Sequence, residues 1–406
     1  MNKIIAAVLA VIAFFALHTY VVPAFPKLAD EVIPPYVLTI KKQDGVWRGQ
    51  LSERQQQLYD VIKAGVLDRQ SEIIIKRLGY SDFDVEKTIW CVMQDSPEVF
   101  WLNWLNWTMR ESAAGLTVSI ESLFDPGQIP ELTARLNQSI QDLLKQARDV
   151  KSDYERALLI HDYLAAHVTY TEHGAPSLHS AYGALAEGAA ASDGFAGAVS
   201  FLLHQLRTEY GLNMENLRVN GRLRGTAVGA VHCWNIIQIG DVFCHMDIAL
   251  DAVGHHYADD WPYAHAVSYG HFLLSDDQIA ADFMPNNPVL LQDYACAGYG
   301  FFEKQNLQAS GISDAFLHTV AEQLYKNIEN GKKYYVEFRL LDAAERTKAT
   351  DIATRYEYCQ KGILDAVNTM LHNDGASFRI ARFESPYVNG DCILLLAVPE
   401  KEIEQP

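Results

Sequence analysis

The chain has 406 residues and a formal net charge of −18, with 49% of its residues hydrophobic and 11% aromatic. That is enough apolar material for two or three domain cores. The acidic balance excludes a surface built to neutralise phosphates, so no nucleic-acid partner is expected.

Lys3 precedes an apolar run from Ile4 to Leu17 that continues to Phe25. The shorter run has signal-peptide length, and the longer one reaches the length of a membrane span. Residues 1–25 are therefore expected to be an uncleaved N-terminal membrane anchor, with a cleaved signal peptide ending near Val22-Pro23-Ala24 as the alternative. Either way the remainder is expected outside the cytoplasm, membrane-anchored or secreted. Residues 26–45, with Pro26, Pro34 and Pro35, read as a linker.

A first α+β domain is expected over 46–148. Ser52-Glu53-Arg54-Gln55 is a capping box, and Leu58, Ile62 and Val66 form an apolar stripe behind it. A second helix fits Phe83 to Gln94. The tryptophan-rich run from Phe100 to Trp107 precedes Leu116 to Ile120, which alternates as a strand does. Packing in a core is the reading preferred for these tryptophans over a ligand platform. Pro130 to Ala147 is expected to be one helix with Leu132, Leu136, Ile140 and Leu143 on its inner face. Ser152-Asp153-Tyr154-Glu155 is a further capping box, opening a helix to about His167 in a second domain over 149–290. Ser275-Asp276-Asp277-Gln278 opens another. A third, small α+β domain is expected over 308–400: helix from Ile312 to Ile328, strand from Tyr335 to Leu340, helix from Thr350 to Leu371, then strands Ser377–Glu384 and Cys392–Val398 around an Asn389-Gly390 turn.

The chemistry concentrates in the second domain. Glu187-Gly188-Ala189-Ala190-Ala191-Ser192-Asp193-Gly194-Phe195-Ala196 leads into the apolar stretch Val199 to Leu206. His232-Cys233-Trp234-Asn235 follows, and then Asp247. Gly240-Asp241 has the composition of a two-residue hairpin loop, so Ile239 should pair with Val242. Continued along both strands, that register sets Asp247 opposite Trp234 and His232 opposite Ala249. His232 and Asp247 then become diagonal neighbours on one face, roughly 7 Å apart at Cβ. A one-residue slip would send Asp247 to the other face. His245 shares the face of Asp247 and, with Trp234, is expected to line the site. Cys233 and Cys244 should point to the opposite face, too far apart to bridge.

These blocks resemble the transglutaminase-like cysteine-peptidase superfamily in its exported bacterial form. There the pattern reads Glu-Gly-x-x-x-Cys-x-Gly-Tyr-Ala, then His-x-Trp-Asn, then Asp on the next strand. The resemblance implies a papain-like α+β core, in which a helix bearing the nucleophile packs on an antiparallel sheet bearing His and Asp. It also implies that Ser192, His232 and Asp247 occupy the catalytic triad positions, with serine where the family has cysteine. Two further departures follow: Ala249-Leu250-Asp251 stands for the family's Thr-Trp-Asp, and Phe283-Met284-Pro285 for a His-Arg-Trp-like segment.

A cysteine beside a charged histidine ionises in advance of attack. A serine hydroxyl must lose its proton during attack, to a base placed for that purpose. The expectation is therefore a catalytically impaired pseudoenzyme that binds a peptide, a protein or a cell-envelope component. The alternative is an active peptidase, amidase or acyltransferase using Ser192, His232 and Asp247. A third reading is that Ser192 was introduced into an active cysteine enzyme. No cofactor is expected. The cysteines at 91, 233, 244, 296, 359 and 392 lack a Cys-x-x-Cys pair and read as buried thiols. His255, His256, Asp259 and Asp260 lie near the site in sequence, but no helical His-x-x-x-His spacing supports a metal, and none is expected.

Overall fold

Every capping box read from the sequence starts a helix in the computed structural model, which describes residues 47–401 apart from 77–78, 114, 225–230, 254–264, 287–293, 332, 351–360 and 385. The expected anchor and linker lie outside the described residues. So do His255, His256, Asp259, Asp260 and Cys359. Among the described residues no helix is long and apolar enough to cross a membrane. The chain divides into two compact units, 1–131 and 132–406.

In the first unit, helix α1 (Glu53–Leu67) is opened by Ser52, whose side chain accepts from the Gln55 amide while the Gln55 side chain reaches back to the Ser52 amide. Its stripe of Leu58, Ile62 and Val66 is fully buried. Strand β1 (Ile73–Ile75) comes next, then α2 (Asp82–Gln94), capped by Ser81. Strands β2 (Leu102–Ser112) and β3 (Gly115–Ser122) complete a sheet of order β1-β3-β2. The tryptophan run enters β2: Trp101 and Trp104 are buried, and the Trp104 indole N–H donates to the Val99 carbonyl.

The single helix expected over Pro130 to Ala147 is instead two, α3 (Ile129–Ser139) and α4 (Gln141–Asp149). Ser139 turns its hydroxyl back onto the Leu136 carbonyl at 2.8 Å, which competes with the helical ladder at the break. Ile140 stays buried at the corner. Helix α5 (Asp153–His167) follows, opened by Ser152 and Glu155. The two-residue strands β4 (Thr169–Tyr170) and β5 (Ala189–Ala190) pair in parallel. Helix α6 (Ser192–Tyr210) then lies against a five-stranded antiparallel sheet of order β10-β6-β7-β8-β9. Its strands are β6 (Asn216–Leu223), β7 (Val231–Ile239), β8 (Val242–Met246), β9 (Phe272–Leu274) and β10 (Phe283–Pro285). Short helices α7 (Ile248–Asp251) and α8 (Asp276–Ile279) flank β9 on either side in sequence.

The C-terminal part runs through α9 (Phe301–Lys304), β11 (Gln308–Ala309), α10 (Asp314–Gly331), β12 (Tyr335–Leu340), α11 (Ala343–Thr350), α12 (Lys361–Asn373), β13 (Phe378–Phe383), β14 (Tyr387–Asn389) and β15 (Cys392–Lys401). Its sheet has the order β11-β12-β15-β13, with β14 also on β15. Asn389 pairs with Cys392 across a turn in which Gly390 takes φ +59°, the left-handed conformation that a residue without Cβ adopts at no steric cost. A core of Phe316, Val320, Leu324, Phe338, Val367 and Leu395 lies between this sheet and its helices. Val253 and Ala266 pack with Tyr335, Leu394 and Leu396, which seats this sheet on the site-bearing part of the second unit. The fold is α+β, with helices on largely antiparallel sheets.

Candidate active site

Ser192 is the first residue of α6, preceded by the extended Ala191. Small residues let the helix start where it does. Gly188, at φ +73°, ends the turn before β5. A Cβ on Gly194 would sit 2.2 Å from the Leu178 carbonyl oxygen, and that oxygen accepts the Ala191 amide at 2.9 Å. The helix is tied to the sheet by Asn235 on β7, whose side-chain amide donates to the Ala196 carbonyl at 3.1 Å and to the Ser200 hydroxyl at 3.4 Å.

The β7–β8 hairpin holds the expected register from Ile239–Val242 to Asn235–Met246. There the ladder stops. Asp247 leaves the sheet and caps α7, its carboxylate accepting the Leu250 amide, while its own amide donates to the His271 carbonyl at 3.1 Å. The pairings expected further along, Trp234 with Asp247 and His232 with Ala249, are therefore not formed. Two local demands win over strand continuation: an Asp side chain that satisfies a helix N-terminus, and a carbonyl offered from the segment before β9.

Departure of β8 exposes one edge of β7, and Ser192 occupies it. The Cys233 amide, left without a strand partner on that side, donates to Ser192 Oγ at 3.2 Å. Asp247 still reaches His232: Oδ2 lies 2.6 Å from Nε2, a distance typical of a charge-assisted bond. All three side chains are buried, Ser192 at 6% exposure and His232 and Asp247 at 1%. The His232 ring stacks on Phe283 with centroids 5.0 Å apart. Its other nitrogen, Nδ1, is buried and has no hydrogen-bond partner among the described residues. The carboxylate thus holds one side of the imidazole, and among the described residues no hydrogen bond joins the other side to Ser192 Oγ, which accepts the Cys233 amide.

Trp234 and His245 share the His232 face of the sheet but turn to each other. The Trp234 indole N–H donates to His245 Nδ1 at 3.0 Å, and His245 Nε2 lies 2.9 Å from Asp276 Oδ1. Burial pulls the His245 pKa down, more than Asp276 restores it. With Cys296, these donors form a group whose ligand atoms lie within 4.8 Å of one another. The tautomer argues against a cation there. An indole donor at Nδ1 requires the proton on Nε2, so a metal on Nε2 would set two N–H groups against each other. Burial also holds the Cys296 thiol well above its usual range.

Cys233 and Cys244 are buried, at 6% and 0% exposure. Burial pushes the Cys233 thiol well up and the Cys244 thiol to about 12, so neither supplies a thiolate beside Ser192.

Beneath the site lies a polar network that the sequence reading did not assemble. Asp251 is fully buried and accepts the His271 amide at 3.1 Å, with His161 Nε2 at 3.1 Å and His271 Nδ1 at 3.4 Å. His271 Nε2 lies 3.3 Å from Asp282, and the Asn389 amide lies 3.1 Å from His271 Nδ1. Burial lowers both histidine pKa values, but the carboxylates outweigh it. Asp162 and Asp251 raise His161 to about 9, and Asp251 and Asp282 raise His271 to about 10. The signal available in the sequence was Asp251, an acidic residue at the end of the otherwise apolar Ile248-Ala249-Leu250 run.

No family model and no curated protein matches the chain. Among solved structures it is similar to a protein described as a cysteine protease from Cytophaga hutchinsonii, at 18% identity and a TM-score of 0.24, covering 36% of this chain and 61% of that one. It is also similar to a protein described as a TGase, at 11% identity and a TM-score of 0.23, covering 35% and 43%. The chain spans less than two thirds of either relative, and the α+β assignment rests on the elements themselves.

Proposed function

We propose that the chain is an exported, membrane-anchored protein on a transglutaminase-like, papain-like scaffold, and a catalytically impaired one that binds a peptide or cell-envelope component. The observation that carries the reading is the state of the two partners that attack would need. Ser192 Oγ accepts from the Cys233 amide, and His232 Nδ1 is buried without a partner among the described residues. A serine nucleophile depends on a hydrogen bond to its base. A thiol would need less, because it ionises in the field of the imidazolium and the helix N-terminus. The family motifs named above support the scaffold, and the apolar run before residue 26 supports export.

A second reading, an active hydrolase or acyltransferase, draws on the 2.6 Å His232–Asp247 contact, which is the base-and-orienter pair such an enzyme requires. One experiment separates the two. A thiol-directed, peptide-like electrophile is applied to wild type, Ser192→Cys, and Ser192→Cys with His232→Ala. Peptide mapping discounts the six native cysteines. Adduct at position 192 only in the Ser192→Cys variant, and lost with His232→Ala, is expected. Turnover of a peptide or ester by wild type, abolished by Ser192→Ala, would overturn the impaired reading.

A further inference from the structure

Strand β6 carries a basic stripe. Arg218, Arg222 and Arg224 fall at even positions on and just past the strand and share one face, while the odd positions Leu217, Val219 and Gly221 are buried. Exposure on the even face rises along the strand, and Arg222 and Arg224 are exposed. Among the described residues no carboxylate pairs with either.

Helix α6 explains that gradient. Ser200 donates to Asn216 at 2.7 Å, the backbone at Gly197 lies over Arg218, and Ser192 meets the Cys233 amide, which is level with Asn220 in the ladder. The helix therefore runs backwards along the sheet, crossing from β6 over β7, and begins level with the Asn220–Cys233 rung at the far edge of β7. The next rung outward is Met284–Arg222–Val231, and Arg224 follows. Val231 and Met284 are 44% and 50% exposed, because the helix stops short of them. The stripe thus lies across β7 from Ser192, one rung and more beyond the start of α6. The carboxylate of Asp193, in the first turn of α6, is offset by His179, whose Nδ1 lies 3.0 Å from both oxygens.

We propose that this face, Arg222 and Arg224 flanked by Val231 and Met284, docks an extended acidic peptide across the end of the sheet that α6 leaves uncovered. The proposal deepens the binding function above and rests on that reading. Charge complementarity carries it: in a chain of net charge −18, two neighbouring exposed arginines, unpaired with any carboxylate among the described residues, concentrate positive charge in one place. Alternate residues of a strand are roughly 7 Å apart, so successive arginines match the acids of a peptide alternating carboxylate and apolar side chains.

The probe is a fluorescein-labelled octapeptide of alternating glutamate and leucine, with glutamine–leucine and lysine–leucine counterparts, titrated into the full chain by anisotropy. The acidic peptide alone should bind. Its affinity should fall with salt, and fall by about tenfold or more in the Arg222→Glu, Arg224→Glu double variant. It should also slow labelling of Ser192→Cys. Equal binding of the glutamine peptide, or unchanged binding by the double variant, overturns the surface. So does arginine-dependent binding of anionic phosphatidylglycerol vesicles without binding of the peptide. If Ser192→Cys is labelled but the acidic peptide neither binds nor protects, the surface fails and the functional reading stands. If wild type turns the acidic peptide over, the impaired reading fails and the surface stands.

Discussion

Replacing Gly194 by alanine sets two effects of known sign against each other. In the helix interior, alanine is favoured over glycine by about 0.5–1 kcal/mol. Against that, the new methyl would lie 2.2 Å from the Leu178 carbonyl oxygen, 2.9 Å from the Ala190 Cβ and 3.2 Å from the Ser180 carbonyl oxygen. The worst contact has to open by about 0.8 Å to reach even 3.0 Å, the shortest that real Cβ atoms show. The Leu178 carbonyl cannot retreat freely, because it accepts the Ala191 amide at 2.9 Å and so moves with the residue before Ser192. Forced contacts of this kind cost about 1–3 kcal/mol, so the clash wins over propensity. The net loss should be about 1 kcal/mol or more, read as a lower urea midpoint at unchanged slope. The displacement also falls on the site. A 0.8 Å shift would stretch the 3.2 Å Cys233–Ser192 contact beyond hydrogen-bonding range. In the Ser192→Cys background the labelling rate at position 192 should then fall by about 10²-fold. A Gly194→Ala protein that is more stable than its parent and labels at the same rate would refute the reasoning.

Three further outcomes follow from the same geometry. In the Ser192→Cys background, Asp247→Asn should slow labelling by roughly 10²–10⁴-fold, because an amide can orient His232 but cannot stabilise its charge; an unchanged rate would remove Asp247 from the site. Asn235→Ala should cost about 1–3 kcal/mol in urea unfolding, since it strips the buried Ala196 carbonyl of a donor, whereas a loss within error would mean that Asn235 does not fasten α6 to β7. His161 and His271 bind protons more tightly in the folded protein, near 9 and 10, than a free imidazole does at 6.5, so their contribution is complete below pH 6.5 and is lost as pH rises through 9 and 10. The thermal midpoint should fall over that window, less steeply in His271→Gln, and a flat midpoint from pH 6.5 to 10 would contradict the network.

What the sequence determined by itself was local. Ser52, Ser152 and Ser275 announce helices because a capping box closes within four residues. Strand β12 was readable from Tyr335 to Leu340, and the β7–β8 register from Gly240-Asp241, since a two-residue loop leaves the strands one way to pair. The same hairpin register put His232 within reach of Asp247, whereas the helix mouth at Ser192 was implied by the resemblance. Tertiary structure decided the rest. The end of β8 at Met246 depends on the His271 carbonyl, which comes from the far side of a long connection. The break at Ile140, where Ser139 bonds back to the Leu136 carbonyl and Ile140 stays buried, left no mark in the apolar stripe. Asp251 becomes the centre of a network only once α5, the segment before β9 and the turn at Asn389 are brought together. The alternation of Arg218, Arg222 and Arg224 was visible in the chain, but what lies over each arginine was not. That depends on where α6 stops along β6, and helix-on-sheet placement is set by contacts between residues distant in sequence, which no local pattern records.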